Sequence, residues 1–70
     1  MFSEQQLAVV RSCSQEGKRL RTCPEAVAVM IENHHRAAFS ETLLKVVRFC
    51  AEECVRQHTD ADAVAWMVEA

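Results

Sequence analysis

Apolar residues recur along this chain at intervals of three and four, and no run alternates with period two. That spacing is helical. One Gly and one Pro in seventy residues are also too few for the turns that a sheet of short strands needs. The pattern predicts an all-α fold, a small bundle of about four short helices over residues 3–17, 24–37, 40–58 and 60–69.

Boundary residues set these limits. Ser3 followed by Gln6 has the form of a capping box, and Leu7, Val10 and Cys13 share one face behind it. Gly17 is the expected stop, with Lys18–Arg21 able to continue the helix. Pro24 suits the first position of the second helix, where its missing N–H costs nothing, and Glu25 sits beside the positive helix end. Val27, Met30, Ile31 and His34 then form an inner face, with Glu32 and Arg36 spaced for an ion pair outside. Ser40 is the expected N-cap of the third helix, whose inner stripe is Leu43, Val47, Cys50 and Cys54. Thr59 with Asp62 repeats the capping-box spacing ahead of a last helix that buries Val64, Met67 and Val68. No internal repeat or low-complexity segment is read along the chain.

Length and composition bound the rest. Seventy residues without a linker-like tract suit a single helical domain over 1–70. The hydrophobic half is rich in small residues, ten Ala and nine Val against four Leu and one Ile. A chain this short buries only ~60% of its unfolded surface, so burial against a partner, a homodimer first of all, is expected. A net charge of −2 gives no general attraction to phosphate backbones or anionic lipid. Half of the positive charge nevertheless gathers at Arg11, Lys18, Arg19 and Arg21, and the last twelve residues are purely acidic. Such polarity suits docking to another protein. No stretch approaches the ~20 apolar residues that cross a bilayer, and the polar start Ser3-Glu4-Gln5-Gln6 is unlike a signal peptide. A cytoplasmic location with reduced cysteines is expected.

Candidate chemistry is sparse. Cys50, Cys54 and His58, each four apart, would form one stripe of soft ligands on a helix, the alternative reading being a thiolate metal or redox site. Mid-stripe cysteines beside Leu43 and Val47 are otherwise core residues, and a histidine at a helix C-terminus interacts with the helix dipole. A hairpin disulfide scaffold repeats one cysteine spacing, whereas Cys13 and Cys23 are ten positions apart and Cys50 and Cys54 four. His34 and His35 are adjacent and point about 100° apart on a helix, with no triad partner at local spacing. No Gly-rich phosphate loop or paired-carboxylate motif occurs, so no enzymatic activity and no cofactor is expected.

A DNA-binding regulator, with residues 24–37 and 40–58 as a helix-turn-helix, is the second alternative. The proposed reading helix starts at Glu41 and offers no Asn or Gln for base edges. Phe49 and Trp66 are the residues out of place, since the helical pattern sets both on polar faces. Large exposed aromatics centre protein interfaces. With Val29 on the outer side of the second helix, they nominate a docking surface, and the function expected is a regulator or adaptor that binds another protein.

Overall fold

Ser3 opens the first helix in the computed structural model, which covers Met1–Ala70. Its hydroxyl accepts from the Gln6 N–H at 3.1 Å, and the Gln6 side chain accepts from the Ser3 N–H at 2.8 Å, so two otherwise orphaned donors are satisfied. The helix, α1, spans Glu4–Arg19; α2 is Glu25–His35, α3 is Glu41–Arg56 and α4 is Ala63–Glu69. A single 3₁₀ turn, Arg36–Ala38, joins α2 to α3. The predicted capping of α3 by Ser40 is present, with the Leu43 N–H as donor. The all-α, four-helix reading is correct.

Several boundaries differ, each for a physical reason. Gly17 does not end α1. It lies inside the helix because it is the point of closest approach, where a Cβ would stand 3.1 Å from the Ala61 Cβ and 3.2 Å from Val27 Cγ2. The stop comes later, at Arg21, in left-handed conformation with φ 58°. There the Arg21 N–H donates to Lys18 C=O and the Thr22 N–H to Gly17 C=O, both at 3.0 Å, forming a Schellman motif. α3 ends the same way at His58 (φ 59°), with the His58 N–H on Val55 C=O and the Thr59 N–H on Cys54 C=O. The hydroxyls of Thr22 and Thr59 add a second bond to those same Gly17 and Cys54 carbonyls. Thr59 therefore finishes α3 and does not cap α4, whose leading residue Asp62 makes no side-chain cap bond. Pro24 stands just before α2 rather than as its first residue, His34 is exposed rather than inward, and Glu32 pairs with Arg48 while Arg36 pairs with Glu41.

The twin helix ends expose a repeat that the sequence reading missed. When Phe2–Asn33 is laid on Phe39–Ala70, a constant offset of thirty-seven residues, half of the paired positions are identical with no gap. The matches include Phe2/Phe39, Ser3/Ser40, Val10/Val47, Arg11/Arg48, Cys13/Cys50, Thr22/Thr59, Val27/Val64 and Glu32/Glu69. Each repeat is a helix, a Schellman turn and a second helix, a unit that cannot cover its own apolar face. The two copies cover each other. α1 packs on α2 and α4, and α3 packs on α4 and α2, so the four helices close into a ring related by an approximate two-fold axis. Both copies supply the core: Val10 and Val47, Val27 and Val64, and Cys13 and Cys50 are buried as matched pairs. Phe2 and Phe39 touch edge to face, their ring centroids 6.4 Å apart.

Candidate interaction surface

The exposed apolar residues stand on this two-fold frame. Trp66 is 72% exposed on the outer side of α4, Phe49 is 61% exposed on the outer side of α3, and Val29 is 54% exposed on α2. The sequence pattern placed all three outside the core. The helical period alone did not show that Val29 and Trp66 are equivalent positions in the two repeats. Each lies at the rim of a groove, Trp66 between α1 and α4 and Val29 between α2 and α3.

The two grooves match residue for residue. Arg11, Ser14, Gln15, Asp62, Ala65, Trp66 and Glu69 line the first; Arg48, Ala51, Glu52, Glu25, Ala28, Val29 and Glu32 line the second in the same order. In the first, the Arg11 guanidinium grips Glu69 with two bonds of 2.7 and 3.2 Å. That clasp holds the Glu69 carboxyl below its ordinary range and raises Arg11, chiefly through the hydrogen bonds themselves. In the second, Arg48 Nε stands 3.1 Å from Glu32 Oε1. Beneath Trp66 the α1–α4 groove also contains Ser14, whose buried hydroxyl has no hydrogen-bond partner; Ala51 takes its place in the other groove. Phe49 lines neither groove, and its counterpart in the first repeat is Ser12.

The basic cluster is largely engaged within the chain. Arg11 pairs with Glu69, Lys18 lies 3.2 Å from Asp62 and 3.6 Å from Asp60, and Arg19 binds Glu16. Lys18 is raised by its hydrogen bond to Asp62, and Glu16 is lowered by its bond from Arg19. Arg21 alone of the four has no ion-pair partner. The opposed charges at the two ends of the sequence therefore fasten α4 and its leading turn to α1.

Cys50 and Cys54 are buried free thiols on the inner side of α3. His58 is not part of their stripe. It lies past the helix end in left-handed conformation and is exposed. Cys54 instead faces Met67, with the two sulfurs 3.9 Å apart, and burial pushes the Cys13 and Cys50 thiols up. Cys23 is the one exposed cysteine.

One part of the surface had no counterpart in the sequence reading. A groove of about 510 Å³ opens where the two chain ends meet, with Met1 and Ala70 on its rim and Phe2, Leu7, Val46, Met67 and Val68 inside. The offset of thirty-seven residues is the signal that could have found it, because it aligns Val68 with the core residue Ile31 and Leu7 with the core residue Leu44. No protein-family model, curated protein or solved structure matches this chain.

Proposed function

We propose that this chain is a small non-enzymatic interaction module, a regulator or adaptor that binds another protein, with a second copy of itself as the first partner to test. The exposure of Trp66 over the α1–α4 groove carries the reading. A rigid, amphipathic ring on a helix loses little conformational freedom when it is covered, and such rings dominate interface energetics. Val29 at the equivalent groove and Phe49 on α3 are further exposed apolar residues, each flanked by charged residues that would form a polar rim.

Sedimentation velocity over a range of concentrations tests the self-association, and Trp66→Glu and Phe49→Glu test the surface. The expected result is a concentration-dependent dimer that either charge weakens. A chain that stays monomeric, with both variants leaving the capture of its partners intact in a pull-down, overturns the reading.

A further inference from the structure

Three exposed residues on the outer side of α3 have no equivalent in α1. Lys45, Phe49 and Glu52 follow one another at spacings of four and three and so share one side of the helix. Their counterparts in the first repeat are Ala8, Ser12 and Gln15, which carry neither an aromatic ring nor a charge. Positions that hold the fold, such as Val10/Val47 and Cys13/Cys50, are by contrast the same in both copies. The fold therefore does not require the α3 triplet, since the equivalent helix packs in the equivalent way without it.

Its charges are also unused within the chain. Arg48 pairs with Glu32 and Arg56 with Glu53, while Lys45 and Glu52 form no ion pair. Between those two free charges stands the exposed Phe49 ring, near the midpoint of a helix of sixteen residues. Such a helix complements itself. When two copies of α3 run antiparallel about a two-fold axis at Phe49, they overlap along their whole length and the rings meet. Lys45 of each copy then comes opposite Glu52 of the other, and the pair forms twice. A parallel arrangement would instead set Lys45 against Lys45.

We infer that the chain forms a two-fold dimer through α3, with the two Phe49 rings at its centre and two Lys45–Glu52 pairs flanking them. This face deepens the proposed self-association, on which it rests, by naming the surface that carries it. Covering the rings drives the association, and the charge pairs fix its antiparallel direction. Val29, on the α2 side of the groove that Glu52 lines, adds exposed apolar surface on one flank.

Sedimentation velocity of the full chain and of Lys45→Glu, Glu52→Lys and Phe49→Ala tests the assignment. All three side chains are exposed, so the substitutions leave the core untouched. Each charge reversal sets like charges together twice and should weaken the dimer roughly two- to thirtyfold, the range of two exposed ion pairs. Phe49→Ala should weaken it by about thirtyfold or more, as expected of an aromatic at the centre of an interface. An equal mixture of Lys45→Glu and Glu52→Lys restores opposite charges on both flanks, so a heterodimer of near wild-type affinity is expected. Glu4→Lys makes the same change of net charge on α1 and should leave the dimer intact. A dimer that the α3 variants do not weaken, a mixture no tighter than either variant alone, or a dimer dissociated only by Trp66→Glu overturns this face and leaves self-association standing. A chain that is monomeric at every concentration overturns both.

Discussion

Phe2 and Phe39 hold the same position in the two repeats, yet Phe39 is buried and Phe2 is only half-buried where their rings meet. The contact lies where the two halves join, and the two rings differ in how far they are covered. Phe39→Ala should therefore cost the ~3–5 kcal/mol typical of a buried phenylalanine, and Phe2→Ala clearly less. Urea unfolding of the two variants, with Phe39→Leu as a milder form, checks this. Equal losses would mean that the two rings are equally covered.

Ser14 and Ala51 differ at equivalent buried positions, and the Ser14 hydroxyl has no partner. Ser14→Ala removes a desolvated polar group without opening a void larger than one oxygen. The variant is expected to gain about 1 kcal/mol, read as a higher urea midpoint at unchanged slope. A loss of stability would show that the hydroxyl is bonded in solution.

Gly17→Ala sets two effects against each other. Alanine in a helix interior gains up to about 1 kcal/mol over glycine. The new Cβ, however, meets Ala61 Cβ, Val27 Cγ2 and Thr22 Oγ1 at 3.1–3.3 Å. None of the three yields easily: one is fixed to the backbone, one belongs to a β-branched side chain, and the third is hydrogen-bonded to the Gly17 carbonyl. Overpacking of this kind costs ~1–3 kcal/mol, so a net loss is expected, larger for Gly17→Val, and thermal unfolding measures it.

Acid should weaken the fold through its clasps. Glu69 and Glu16 titrate below the ordinary carboxylate range when folded, held by Arg11 and Arg19. A depressed folded-state value contributes stability above the unfolded value, about 4.3 for Glu, and that contribution is lost as pH falls through the folded value. Urea midpoints are thus expected to fall below about pH 5, and less steeply in Glu69→Gln. An unchanged slope in that variant would show that the Arg11 clasp does not persist in water.

Thiol counting separates the cysteines. Cys23 is exposed, whereas Cys13, Cys50 and Cys54 are buried, and burial holds the Cys13 and Cys50 thiols in their unreactive neutral form. Ellman's reagent should titrate a single thiol quickly in the native chain and all four in denaturant. Rapid reaction of Cys50 and Cys54 would reopen the thiolate-site reading.

Much of the local structure was legible in the residues alone. Ser3, Gln6 and Ser40 specify their helix starts through bonds that reach only three residues, and the helical period placed Phe49, Trp66 and Val29 outside the core. The repeat was also written there, as an ungapped match at a fixed offset, although the differing residues at Gly17/Cys54, Arg21/His58 and Pro24/Ala61 disguise its turns. Other features were settled only by packing. Gly17 reads as a helix stop until Ala61 is brought against it, and His58 reads as part of a cysteine stripe until the chain turns left-handed beneath it. Glu32 could reach Arg36 within its own helix, but α3 brings Arg48 to it across the α2–α3 boundary. Local bonds and periodicity act over one or two turns of chain and so can be read in order. Which faces close on each other depends on how two like halves cover their shared apolar surface, a long-range condition that no single stretch of chain records.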